Sequence, residues 1–433
     1  MGKKLKKNVP LLRFPEFKGE WETKSIQSLL DENIIVEHLD GNHGELYPRS
    51  DEFSYEGVPY ISANDLDGQS VNLNNSKKLP VERARLFKKG IARSGDVIFA
   101  HNATVGPTGI LKTELEFVIL STTVTYYRCE LSQLNNRFLL HSFNTSYFVR
   151  QFSRVMSQST RNQVPITTQR KFYLHLPSIA EQEKIASFLG AIDTRLNQLR
   201  RKHELLQTYK RGIMQKLFSQ KLRFTQPNGS PFPDWEEKKL GDIADTNKSH
   251  SFTGGPFGSD LKSSDYTQEG IRVIQLQNIG DGYFVNDYQI FTSEDKADQL
   301  INCNIYPNDI LISKMGDPVA RACIVPNYHK RYLMCSDGIR LVVNNDLFNT
   351  YFIYSVLNAP TFRKSAESAS SGSTRKRIGL TNLRILKISC PILEEQEKIV
   401  NFLTAIDRKI ETLSRQIEQT EQFKKGLLQK MFV

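Results

Sequence analysis

The chain is written twice, and no other feature limits its fold as tightly. Residues 177–218 read PSIAEQEKIASFLGAIDTRLNQLRRKHELLQTYKRGIMQKLF, and residues 391–432 read PILEEQEKIVNFLTAIDRKIETLSRQIEQTEQFKKGLLQKMF. They align without a gap at an offset of 214, sharing EQEKI, FL, AID, GxxQK and the final Phe. The repeat extends backwards. Leu12-Arg13-Phe14 returns as Leu222-Arg223-Phe224, and Trp21-Glu22-x-Lys24 as Trp235-Glu236-x-Lys238. Gly57-VPYISANDL matches Gly270-IRVIQLQNI, and Ser157-x-Ser-Thr-Arg161 matches Ser371-x-Ser-Thr-Arg375. Between these anchors the copies differ freely, so whatever one half folds into, the other must fold into as well.

Each copy changes character once. Residues 20–176 and 234–390 are short β-branched and aromatic runs such as VPYIS, GDVIFA and TTVTYYR, or VIQLQNI, DILISK and IRLVV, broken by turn residues and mixed with shorter helices. That pattern predicts an α+β domain. The period then lengthens to about 3.5 residues. Leu189, Ile192, Leu196, Leu199, Leu206 and Ile213 form one apolar seam, and Leu403, Ile406, Ile410, Leu413, Ile417 and Leu427 form its twin. About 40 residues at 1.5 Å each make a rod of roughly 60 Å, too long to fold back on its own domain. Tethering on one chain raises the local concentration of the twin, so the two helices are expected to pair with each other as an antiparallel coiled coil. His203, Lys210, Thr420 and Lys424 interrupt the seam and would fix its register or meet a further helical partner. Ser178 and Glu181 suggest a capping box at the first helix start.

The expected organisation is a basic opening segment (1–19), an α+β domain (20–176), a long helix (177–218), a Pro-rich linker (219–233), a second α+β domain (234–390) and a second long helix (391–433). The fold class is α+β, duplicated in tandem.

A net charge of +11 favours a polyanionic partner, most commonly nucleic acid. No run of 18 apolar residues suggests a membrane span, and the basic start lacks the apolar stretch of a signal peptide. Cys129, Cys303, Cys323, Cys335 and Cys390 are scattered without a CxxC pair, which points to a cytoplasmic chain with reduced thiols and no zinc site.

Catalytic motifs are approached and missed. Pro233-Asp234-Trp-Glu236-x-Lys238 crowds into six positions the carboxylates and Lys that a metal-dependent nuclease spreads over separate strands. Gly254-Gly-Pro-Phe-Gly258-Ser-Asp-Leu-Lys262 lacks the Gly-Lys-Ser/Thr ending of a phosphate loop and reads as a tight turn. Asn358-Ala-Pro-Thr-Phe362 departs at its second position from the Asn-Pro-Pro-aromatic motif of adenine methyltransferases. The eight histidines show neither HxxxH nor HExxH. Neither catalytic nor metal-binding residues are assigned.

Recognition is the better reading. Thr160-Arg161-Asn162-Gln163 and Thr374-Arg375-Lys376-Arg377 occupy equivalent places just before each domain's last strand. Arg can bond guanine in two places, and Asn or Gln adenine. One such loop alone is usually just solvated; recurrence with different tips favours binding. Asn64-Asp65 and Gln277-Asn278, each after a strand, are further candidates.

Two variable domains alternating with two near-identical helices, opened by LRFPEFKGEWE and closed by LPSIAEQEKI…FLGAID, resemble the specificity subunits of type I restriction-modification enzymes over essentially the whole chain. The resemblance implies a non-catalytic subunit whose two target recognition domains each read half of a bipartite site in double-stranded DNA. It implies that the helices set the spacer and dock two methyltransferase subunits. S-adenosylmethionine would then sit on those subunits for adenine N6 methylation, and ATP and Mg on separate motor-nuclease subunits. A protein-binding helical scaffold, or the recognition part of a fused methyltransferase-nuclease, are the alternatives.

Overall fold

The computed structural model describes residues 8–42, 46–158, 162–372 and 375–433. The chain divides into two compact units, one of residues 1–201 with 414–433 and one of residues 202–413. Each unit thus joins one α+β domain to the final turns of the twin's helix.

In the first unit an antiparallel sheet runs in the order Ile35–Asp40, Val124–Cys129, Val97–Asn102, Thr104–Ile110. A mixed sheet follows the order Lys77–Leu79, Val58–Ile61, Val118–Leu120, Ile91–Ala92, with Val58–Ile61 and Val118–Leu120 parallel. Val97, Ile98, Phe99 and Ala100 are all fully buried, so this continuous apolar run is a strand covered on both faces. A ribbon closes the domain, Glu22–Ser25 lying antiparallel to Tyr173–Leu176 with Glu22 opposite Leu176.

The second unit repeats the plan. Its antiparallel sheet has the order Phe252–Gly254, Gly338–Leu341, Ile310–Ser313, Ala322–Ile324. The mixed sheet gains a strand: Tyr266–Thr267, Ile290–Thr292, Ile271–Ile274, Tyr332–Met334, Asn304–Ile305, again with one parallel pair. Its closing ribbon sets Glu236 opposite Cys390.

The heptad periods are two helices, Ile179–Phe218 and Leu393–Met431. Leu189, Leu196, Leu199, Leu217, Leu403, Ile406, Leu413 and Leu427 are buried, and Ile192, Leu206, Ile213, Ile410 and Ile417 half-buried. In the first unit the helix segments run antiparallel, because Asp193 meets Lys424 at 2.5 Å and Arg200 meets Glu421 at 2.6 Å. In the second unit Lys210 meets Asp407 at 2.6 Å. The duplication makes these lysine–aspartate pairs counterparts: Asp193 and Asp407 close the two AID motifs. Two of the four polar seam residues therefore find their partner on the other copy's helix. Burial pushes the Asp193 carboxyl up against the pull of Lys424. Gln69 Nε2 donates to the same carboxylate at 2.9 Å. His141, 3.9 Å away, is held neutral because burial lowers it to about 3.

The duplicated EQ of EQEKI is structural. Glu181 does not close a box with Ser178; its carboxylate accepts Arg13 Nε and Nη2 at 2.8 and 2.7 Å. Glu395 takes Arg223 Nε and Nη2 in the same way at 3.2 and 2.9 Å. Gln182 Oε1 accepts the backbone N–H of Asn135, and Gln396 Oε1 that of Asn349. Each pair ties the start of a long helix to its domain.

Candidate nucleic-acid interface

The expected recognition loops lie against the ends of the central strands. In the first unit Val164 N donates to His101 O at 2.8 Å and Ala103 N to Asn162 O at 3.0 Å. Asn162 is exposed and Gln163 half-buried; Thr160 and Arg161 lie outside the described residues. Under the loop sits Gln169, fully buried, whose Nε2 donates to Val164 O. Its Oε1 accepts the hydroxyls of Thr125 and Tyr127 at 3.0 and 2.7 Å. The same Oε1 is 3.2 Å from Nε2 of His38, which burial keeps neutral by lowering it to about 3. With Oε1 as acceptor, the His38 proton belongs on Nε2.

In the second unit Ile378 N donates to Lys314 O at 2.9 Å, and Arg377 and Ser371 exchange two backbone bonds at 2.8 and 2.9 Å. Thr374 lies outside the described residues. Arg375 is exposed and makes no ion pair among the described residues. Lys376 pairs with Glu367, and Arg377, half exposed, lies 3.1 Å from Asp337. Such solvent-facing pairs are worth about 0–1 kcal/mol, so a phosphate or base edge can displace them. Lys314 Nζ donates to Ser336 O at 2.8 Å, and burial with Arg377 nearby pulls its ammonium below the usual lysine range. Leu383, fully buried, occupies the position of Gln169. One loop thus rests on a polar floor and the other on an apolar one.

The further candidates divide. Asn64 and Gln277 are exposed on single 3₁₀ turns. Their neighbours face inward. Asp65 is 8% exposed and accepts the backbone N–H and hydroxyl of Ser62 at 2.7 and 2.8 Å. Asn278 is fully buried, accepting from Gln275 N and donating to Val285 O and Tyr288 O, all at 2.9 Å. Asn278 spends both its side-chain amide atoms on locking its own turn, whereas Asp65 holds Ser62 through Oδ2 alone.

What remains converges on one edge of each unit. Ala63 N reaches Thr123 Oγ1, and His101 N reaches Thr123 O beside the 162–164 loop. In the second unit Cys335 N bonds Ile274 O, and Lys314 N bonds Asp337 O beside the 375–378 loop. Lys314 and Asp337 belong to no sequence motif, and only the fold brings them to Arg377. Exposed guanidinium and amide groups on a rigid edge can hold phosphate and read base edges. Among the described residues no group of three His, Cys, Asp or Glu side chains converges to hold a metal ion, and no helix is long and apolar enough to cross a membrane.

The family model of the type I restriction modification DNA specificity domain matches residues 19–207 and again residues 233–422. The MjaVIII specificity subunit of Methanocaldococcus jannaschii is 23% identical over 96% of this chain and 92% of its own length. The EcoBI specificity subunit of Escherichia coli is 20% identical over 85% of this chain and 77% of its own. Among solved structures, the type I restriction-modification S subunit from M. genitalium aligns over 98% of this chain and 99% of that one, with a TM-score of 0.55 and 16% identity. The chain therefore belongs to the type I restriction modification DNA specificity family and carries that family's domain twice.

Proposed function

We propose that the chain is the DNA-reading, non-catalytic subunit of a cytoplasmic type I restriction-modification complex. Each unit reads one half of a bipartite site in double-stranded DNA. The helices set the spacer and dock two methyltransferase subunits, which carry S-adenosylmethionine for adenine N6 methylation. Motor-nuclease subunits supply ATP- and Mg-dependent cutting. The observation that carries this reading is the same rigid edge built twice on a shared frame, with Asn162-Gln163 on one and Arg375-Lys376-Arg377 on the other.

The test is methyl transfer and gel shift with purified chain, alone and with its methyltransferase subunit. The chain alone is expected to transfer nothing, and the complex to bind and modify a defined sequence. Methyl transfer or DNA cleavage by the chain alone would contradict the reading.

Arg375→Ala or Arg377→Ala in that complex should cost about 1–3 kcal/mol of discrimination at one half-site and spare the other; Arg161→Ala should do the converse. Competition binding against single-base variants of each half measures this. A uniform loss across all sequences with a shallower salt dependence would make the residue a phosphate contact instead.

A further inference from the structure

Phe257 is 81% exposed at the tip of Gly254-Gly255-Pro256-Phe257-Gly258. An isolated exposed Phe is ordinary; the delivery of this one is not. Gly255 N donates to Gly338 O at 2.9 Å, and a Cβ at Gly255 would lie 1.8 Å from Cys335 O. Only glycine lets the chain pass so close to the Cys335–Asp337 turn. Pro256 is buried, whereas Phe257, Gly258 and Ser259 are exposed, so the loop is anchored at its base and presents its ring outward.

The ring rises beside the cationic edge. A Cβ at Gly254 would lie 2.8 Å from Lys314 Nζ, and Lys314 and Asp337 are the residues that flank Arg377. From Gly254 to Phe257 is three residues of chain, which span at most about 11 Å and keep Phe257 near that cluster. The first copy repeats the approach: a Cβ at Gly41 would lie 2.3 Å from Ser121 O. There the sequence is Gly41-Asn42-His43-Gly44, again a ring residue before a glycine, with His43 and Gly44 outside the described residues.

We propose that Phe257 is a wedge that enters the duplex between two stacked base pairs of the half-site read by the second unit. The inference rests on the DNA-reading function above. Inserting an apolar ring unstacks one step, at a cost that ring burial and the added protein contact offset. It also matches the reaction, because an enzyme that modifies a base must first take it out of the stack, and a loosened neighbouring step lowers that barrier.

The test uses the complex of full-length chain and methyltransferase subunit, with wild type, Phe257→Ala and Phe257→Trp. The probe is a duplex carrying the sequence that the wild-type complex methylates, with 2-aminopurine placed at each step of the second half in turn. Wild type and Phe257→Trp should raise fluorescence at one step, and Phe257→Ala at none. Affinity should fall about 10- to 100-fold in Phe257→Ala, and a mismatch at that step should restore most of it. Unchanged fluorescence and affinity in Phe257→Ala would overturn the wedge while leaving the DNA-reading function intact. Loss of co-purification with the methyltransferase subunit would overturn it too, making Phe257 a protein contact. A wild-type complex that does not prefer its mapped site over a scrambled duplex would remove the DNA-reading function, and the wedge with it.

Discussion

A chain that stops after Gly426 will lose the fold of its first unit while keeping that of its second. Of the seven residues removed, Leu427 to Met431 end a helix that belongs by sequence to the second copy, and Phe432 and Val433 follow it. Trimming a terminal helix is usually harmless where the end is exposed. Here Leu427, Met431 and Phe432 are 6%, 3% and 8% exposed and sit in the core that contains Trp21, Phe138 and Leu189. Phe432 stacks on Phe138 at 5.3 Å between centroids and meets Trp21 edge-on at 6.0 Å. Leu12 N also donates to Lys430 O at 2.8 Å. Each lost apolar side chain removes about 1.5–3 kcal/mol, so the truncation costs about 5–9 kcal/mol, comparable to the whole stability of an ordinary domain. Hydrogen exchange should therefore show residues 20–176 unprotected and residues 234–390 protected. Leu217→Ala, a buried change in the second unit's core, should do the reverse at about 2–5 kcal/mol. Phe423→Ala, at a site 57% exposed, should do neither. Full protection of residues 20–176 after truncation would mean that the first unit does not depend on the second copy's helix.

The helices were legible because a seam leaves a period in the sequence, and Leu189 to Ile213 and Leu403 to Leu427 show it without reference to anything distant. The partners of the polar seam residues were not. Lys424 meets Asp193 only once the chain has turned back on itself. The capping box failed for a related reason: the local pattern Ser178-x-x-Glu181 is real, but Arg13, 168 residues away, offers a charged partner that takes the carboxylate. The site was half legible. Asn64 and Asp65 look alike in sequence, yet one faces out and the other turns inward to hold Ser62; a difference of one position on a tight turn decides it, and composition does not record it. Gly255 could be read only as a turn residue, since the carbonyl it must clear lies 80 residues further on at Cys335.

Replacing residues 20–176 by the equivalent block of another family member will produce a chain that directs methylation to a hybrid site. Each candidate edge is complete within its own unit: His101, Asn162 and Thr123 in one, Lys314, Asp337 and Arg377 in the other. The anchors that receive the block, Arg13 on Glu181 and Gln182 at the helix start, belong to the repeated framework. The exchange should therefore change which bases are read without disturbing how the reader is mounted, and specificity at separate positions adds rather than mixes. The direct measurement is to express the exchanged and parent chains, each with the methyltransferase subunit, in a host lacking other adenine methylation, and to map modified adenines across the genome. A motif with a new first half, the parent's second half and the parent's spacing is the predicted result. A motif in which both halves changed together, or neither did, would contradict two independent readers in one chain.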